Sequence, residues 1–192
     1  MIIGILLRRN EEKLCVKKEL FDIIIKVGGM PVGIYLENID NYLNICDGFI
    51  LPGGSDYENK ELEFIKMVHK LNKPLLGICL GMQEIGLLYN GIMDDTNNHL
   101  SLDKYVHEIE IDKMSLLYKI FEKDRILVNS RHQNTIKNPD IKVGAKSLDG
   151  IIEEIEDDKC KFFMGIQWHP ESLINDINSL KLFSYFIGRC KH

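Results

Sequence analysis

One stretch constrains the fold of this chain more than any other. The apolar run Pro74-Leu75-Leu76 enters Gly77-Ile78-Cys79-Leu80-Gly81, and a helical segment follows. A cysteine held between glycines at such a junction fits a strand that turns sharply into a helix and lifts one side chain above the sheet edge. The backbone there is strained and close to its neighbours, which favours flanking residues without a bulky Cβ. Far downstream, Gln167-Trp168-His169-Pro170-Glu171-Ser172 supplies an imidazole and a carboxylate two positions apart. In an extended stretch alternate residues point the same way, so His169 and Glu171 are expected on one side of the chain.

These three residue types suit one chemistry. A free cysteine has a pKa near ~8.5, so only a few per cent is thiolate at neutral pH. An adjacent imidazole and a helix N-terminus both favour the thiolate. A carboxylate then fixes the imidazole tautomer and stabilises the imidazolium. Taken alone, the cysteine motif fits a buried structural thiol equally well, and most single histidines are not catalytic. The two motifs in this order favour a Cys79-His169-Glu171 relay. Leu51-Pro52-Gly53-Gly54-Ser55-Asp56, after the apolar Phe49-Ile50, tightens the case. By itself it reads as a plain strand-to-helix turn. Ahead of an elbow cysteine it reads as half of an oxyanion hole, with the Leu80 N–H as the other half.

The segments LPGGSD, PLLGICLGMQ, VNSRHQ and GIQWHPES, in this order, resemble the class I glutamine amidotransferase superfamily. The match is closest to its hydrolase branch, the peptidase C26 or γ-glutamyl-γ-aminobutyrate hydrolase family. It runs from Ile2-Ile3-Gly4-Ile5 to Trp168-His169-Pro170-Glu171. The resemblance implies a flavodoxin-like, three-layer α/β/α fold with a mostly parallel central sheet and a small antiparallel extension. By position it implies Cys79 as nucleophile, His169 as base and Glu171 as its orienter. Gly54 and Leu80 would supply the oxyanion N–H groups, and Gly53, Gln83, Ser130, Arg131 and His132 would lie near the γ-glutamyl moiety. The chain is shorter than typical members, and its Gly53-Gly54 loop runs almost at once into Tyr57-Glu58-Asn59-Lys60-Glu61. The resemblance therefore leaves the leaving amine open.

Composition narrows the function classes. The formal net charge is −5 over 192 residues, which argues against general affinity for nucleic acid or anionic membrane. Arg8-Arg9, Lys17-Lys18 and Arg189…Lys191 form no basic stripe and read as solvated surface. No stretch approaches the ~20 apolar residues that span a bilayer. Residues 1–7 are followed rather than preceded by positive charge, so they read as a buried strand and not a signal peptide. Five cysteines with no C-x-x-C pairing fit a reducing cytoplasm. The six histidines show no zinc spacing, so neither a metal nor any other cofactor is expected. The expected partner is a small γ-glutamyl substrate, with room left for a homodimer.

Apolar runs alternate with amphipathic stretches, the rhythm of a helix-covered parallel sheet. Strands are expected at 2–7, 31–36, 47–51 and 74–78, and helices at 12–27, 60–71, 80–89 and 175–188. The first helix would bury Leu20, Phe21, Ile24 and Ile25; the last would turn Ile177, Leu180, Phe183, Phe186 and Ile187 to the sheet. Residues 91–102 read as a polar loop. Short strands at 105–111, 126–129, 141–147, 151–155 and 162–166 suggest the antiparallel extension, with a turn at Asp149-Gly150. Residues 1–192 read as one glutamine amidotransferase-like domain. Ser130-Arg131-His132-Gln133 packs four polar groups at a strand end, where α/β folds place ligand contacts. His99, in the polar loop, is a weaker candidate for the site, and His107 reads as structural. Three functions compete: a γ-glutamyl amide hydrolase, a glutaminase subunit passing ammonia to a separate synthetase chain, and a non-enzymatic binding module.

Overall fold

The computed structural model describes residues 1–96 and 99–191. In chain order the elements are β1 (Ile2–Leu6), β2 (Arg8–Asn10), β3 (Lys13–Cys15), α1 (Lys18–Lys26), β4 (Met30–Ile34), α2 (Ile39–Ile45) and β5 (Gly48–Leu51). They continue with α3 (Asn59–Lys70), β6 (Leu75–Ile78), α4 (Leu80–Leu88), β7 (Ile92–Asp95), β8 (His107–Ile111), α5 (Leu116–Phe121) and β9 (Arg125–Val128). Then follow β10 (Asn134–Lys137), β11 (Lys142–Ser147), β12 (Ile152–Glu156), β13 (Phe163–Ile166) and α6 (Ile177–Arg189).

Nine strands form the main sheet in the order β4-β1-β5-β6-β13-β12-β11-β8-β9. From β4 to β13 all neighbours run parallel, and from β13 outward they run antiparallel. Strand β13 is thus the seam, parallel to β6 on one side and antiparallel to β12 on the other, rather than a member of the extension alone.

Strand alternation sorts the core into two layers. Ile3, Ile5, Ile50, Leu76, Ile78, Met164 and Ile166 pack against α1, α5 and α6. Leu6, Phe49, Leu51, Leu75 and Phe163 pack against α2, α3 and α4. Both faces of the central strands are covered, which explains their unbroken apolar runs.

Several sequence expectations change. Residues 12–27 do not form one helix; β2 and β3 make a hairpin, and α1 starts only at Lys18. Glu11 turns this hairpin in the left-handed region, at φ 55°. On α1, Leu20, Ile23 and Ile24 are buried, whereas Phe21 is half-buried and Ile25 is exposed. Within 91–102, Ile92–Asp95 pair antiparallel with β10 as a separate two-stranded ribbon, and residues 97–98 lie outside the described residues. On α6, Asp176 caps the N-terminus, and Ile177, just after it, points to solvent. Helices α2 and α5 were not anticipated. Helix α5 holds only six residues, too few to display a helical period.

Candidate active site

The elbow forms as its residue types dictate. Cys79 sits at φ 54° and ψ −105°, a backbone state that costs a non-glycine residue free energy. Its neighbours hold it there: Cys79 N–H donates to the Ile166 carbonyl at 2.8 Å, and Gln83 N–H closes the first turn of α4 on the Cys79 carbonyl at 3.1 Å. A Cβ on Gly77 would meet the Gly81 carbonyl oxygen at 2.5 Å, and one on Gly81 would strike the backbone of Leu51. Both glycines are therefore required by close approach of strand, elbow and helix.

The imidazole arrives from the end of β13. His169 Nδ1 lies 2.7 Å from Glu171 Oε1, so Nδ1–H donates to the carboxylate. The two do not meet by extended alternation. Pro170–Leu173 form a 3₁₀ turn, with Ser172 N–H on the His169 carbonyl, and this turn brings Glu171 back beneath the ring. Asn129 clamps the His169 backbone from both sides: it accepts from His169 N–H at 2.8 Å and donates to its carbonyl at 2.8 Å. Burial alone would lower the His169 pKa. Attraction to Glu171 and hydrogen bonds to Cys79 and Glu171 outweigh it and push His169 up to about 10. Burial would likewise favour neutral Glu171, but the charge and hydrogen bond of His169 hold it below the usual carboxylate range.

Cys79, His169, Glu171, Gly53, Gly54 and Arg131 all line one open cavity of about 840 Å³. Its far rim is the β2–β3 hairpin. A Cβ on Gly53 would sit 2.9 Å from His169 Cε1 and 3.4 Å from Cys79 Cβ, so this loop passes directly over the pair. A Cβ on Gly54 would lie 3.0 Å from Leu80 Cδ2, so the Leu80 side chain packs against the Gly54 backbone. As the first residue of α4, Leu80 has no carbonyl one turn back to receive its N–H.

Arg8, expected to be solvated, is buried beneath this loop. Its Nη2 donates to the Pro52 carbonyl at 2.8 Å and its Nε at 3.2 Å. The same guanidinium grips Glu84 bidentately, at 2.7 and 3.0 Å, and meets Glu61 at 2.5 Å. Burial pushes Glu84 up to about 8, with Arg8 pulling against the rise and Glu61 adding to it. Two carboxylates sharing one buried guanidinium gain by holding a proton. The sequence carried one signal for Arg8, its place just past the C-terminal end of the first strand, where open α/β sheets put their sites. Asn129 lies inside the VNSRHQ segment, next to the residues singled out there.

The other expected site residues point elsewhere. Gln83 is buried and donates to the Asn134 carbonyl at 2.7 Å and to Gln167 at 3.2 Å, and it does not line the cavity. Ser130 and His132 belong to a buried histidine cluster behind Asn129; Ser130 Oγ donates to the His99 carbonyl at 2.6 Å. Burial, then the charge of His99, lowers the pKa of His132 to about 3. Arg131 alone of that segment reaches the cavity. Its Nη1 donates to Ser172 Oγ at 2.9 Å, and its buried Nε has no hydrogen-bond partner among the described residues.

The elbow of Cys79, the His169-Glu171 pair and the Gly53-Gly54 loop thus meet around one cavity at the carboxyl edge of a helix-covered parallel sheet. The family model for Peptidase C26 matches residues 57–171, and the chain belongs to that family. Its members are hydrolases with a cysteine nucleophile. The protein NtpR of Enterococcus hirae is 32% identical over 83% of this chain and 82% of its own length. The gamma-glutamyl-gamma-aminobutyrate hydrolase of Escherichia coli O157:H7 is 25% identical over 100% of this chain and 94% of its own. The CTP synthase of Borreliella burgdorferi is 30% identical over 79% of this chain, which spans 36% of that protein. Among solved structures, a glutamine amidotransferase from Thermotoga maritima superposes with a TM-score of 0.69 at 16% identity, covering 98% of this chain and 96% of its own. No helix among the described residues is long and apolar enough to cross a membrane.

Proposed function

We propose that residues 1–192 form a single hydrolase domain that cleaves the γ-glutamyl amide bond of a γ-glutamyl-amine conjugate through a Cys79 thioester. The observation that carries this reading is Cys79 on its strained elbow, beside the hydrogen-bonded, buried His169-Glu171 pair and opening with it on a large cavity. In this mechanism His169 enters as the imidazolium, and Cys79 Sγ attacks the side-chain carbonyl carbon with the proton already on His169 Nε2. Glu171 holds the Nδ1–H and balances the imidazolium. The carbonyl oxygen gains negative charge between the N–H groups of Gly54 and Leu80. As the intermediate collapses, His169 returns its proton to the departing nitrogen, the C–N bond breaks and a neutral amine leaves. Water, deprotonated by His169, then attacks the thioester and releases glutamate and the thiol. Arg131, which lines this space and whose buried Nε has no hydrogen-bond partner among the described residues, is suited to a substrate carboxylate.

The cavity extends from Cys79 to the β2–β3 hairpin, which leaves space beyond a γ-glutamyl group for a sizeable amine. A second reading is a glutaminase acting for a separate synthetase, favoured by the similarity to a CTP synthase. Glutamate release from a panel of γ-glutamyl amides, with glutamine included, separates the two. The isolated protein is expected to turn over at least one conjugate faster than glutamine. Glutamine as the best substrate, or turnover only beside a second chain, would transfer the assignment to the glutaminase reading.

A further inference from the structure

Behind Asn129, on the inner side of the His169 segment, four segments distant in sequence bring His99, His107, His132 and Glu153 together. All but His107 are more than nine-tenths buried. The roles of the ring nitrogens follow from their outer partners. His132 Nδ1 faces the Asn134 carbonyl at 3.0 Å, and a carbonyl only accepts, so the proton sits on Nδ1 and Nε2 carries a lone pair. His99 Nε2 faces the Asp149 carboxylate at 2.9 Å, so its proton sits there and Nδ1 carries the lone pair. These two lone pairs point at each other across 3.2 Å. Glu153 Oε1 faces them at 3.7 Å from His99 Nδ1 and 3.9 Å from His132 Nε2. Ser130 Oγ, its proton on the His99 carbonyl, turns another lone pair toward His99 Nδ1 at 3.3 Å.

Converging acceptors without donors are unfavourable in a buried place. One shared proton would reconcile the two imidazoles but leave the carboxylate facing them with His107 Nε2 alone on Oε1, at 2.9 Å, and no partner among the described residues for its buried Oε2. A cation would satisfy all three at once. Ligand atoms bound tetrahedrally at about 2.0–2.1 Å lie roughly 3.3 Å apart, close to the observed triangle. Each imidazole also donates its other N–H to a carboxylate or carbonyl, the outer arrangement that orients metal-bound histidines. His107 Nε2, 2.9 Å from Glu153 Oε1, either orients the carboxylate or completes the shell.

We propose that His99 Nδ1, His132 Nε2 and Glu153 Oε1 form a buried site for a divalent transition-metal ion, zinc by donor type. The expectation of no metal rested on linear spacing, and here the ligands come from the stretch after β7, the stretch after β9, and β12. The ion would tie these segments together beside Asn129, which clamps His169. It takes no part in the reaction proposed above and would bind equally to a protein lacking Cys79.

The test uses the full chain without an affinity tag, as Cys79→Ala, stripped with chelator and titrated with cobalt(II) and then zinc(II). One equivalent of cobalt is expected to bind with visible d–d absorption and no near-ultraviolet thiolate charge-transfer band. The missing band separates this site from the half-buried His69-Asp157-Cys160 group. Zinc should displace the cobalt and raise Tm by on the order of 5 °C at a hundredfold excess over Kd. His132→Ala and Glu153→Gln should each weaken binding at least a hundredfold, while His69→Ala leaves it unchanged. A thiolate band, undiminished affinity in a folded Glu153→Gln protein, or a wild-type chain that binds no cobalt and shows no zinc-dependent Tm would each overturn the site. The wild-type titration decides even if a variant fails to fold.

Discussion

At the residue scale, His169 joins two opposed effects, and the larger is visible in the sign of its shift. Burial favours the neutral ring, yet the charges and hydrogen bonds of Glu171 and Cys79 raise the pKa from 6.5 to about 10. The folded chain thus keeps a proton that an unfolded histidine has released. That contribution to stability is complete below pH 6.5 and is lost as pH rises through about 10. Glu84 acts in the same direction, but over the window from 4.5 to about 8. Between pH 8 and 10, therefore, wild-type unfolding free energy should fall more steeply than that of His169→Gln, by up to about 1.4 kcal/mol per pH unit. Parallel curves from urea titrations would show that His169 is not held as the cation. Glu171→Gln addresses the same pair through catalysis. The amide can hold the ring in the wrong tautomer, so turnover should drop by about 10²–10⁴-fold in a protein that still unfolds cooperatively. Wild-type turnover would leave a Cys79-His169 dyad without Glu171.

At the scale of elements, the strand-elbow-helix at β6 and α4 was legible because close approach there demands glycine, and glycine is visible in a sequence. The parallel strands were legible as apolar runs bounded by polar turns. The β2–β3 hairpin was not, because Lys13-Leu14-Cys15 is exposed and carries no alternation that burial would impose. The pairing of His169 with Glu171 was legible, but its cause was not: a 3₁₀ turn begun by Pro170 does what extended alternation was expected to do. Arg8 escaped because its one signal, a place at a strand end, does not reveal partners 53 and 76 positions away. Its guanidinium fixes the carbonyl of Pro52, and through it the Gly53-Gly54 loop. Arg8→Met would leave Glu61 and Glu84 buried around a missing cation, and should cost about 3–5 kcal/mol. Adding Glu61→Gln and Glu84→Gln removes the stranded charges and should recover most of that stability. Turnover should stay low in the triple variant, since the Pro52 carbonyl still lacks its donors. Turnover that returns together with stability would show that the cluster only supports the fold.

At the scale of the whole molecule, the sheet brings four cavity-lining segments to one edge, the hairpin after β1, the loop after β5, the elbow after β6 and the turn after β13, and Arg131 joins them from the stretch after β9. The same sheet serves hydrolases and the glutaminase parts of synthetases alike, so the chemistry at Cys79 carries the functional claim. Cys15 is exposed on the same cavity, and general alkylating agents will reach it as readily as Cys79, which is 7% exposed. The decisive probe must therefore need the hydrolytic machinery. The protein should be mixed with a turned-over γ-glutamyl amide, quenched in acid within one turnover, digested and analysed by mass spectrometry. A glutamyl group should appear on the peptide containing Cys79, decay at the rate of glutamate release, and be absent from Cys79→Ala, which should also release no glutamate. Glutamate release that continues in Cys79→Ala, or that proceeds in the wild type with no adduct on that peptide, would contradict the thioester mechanism.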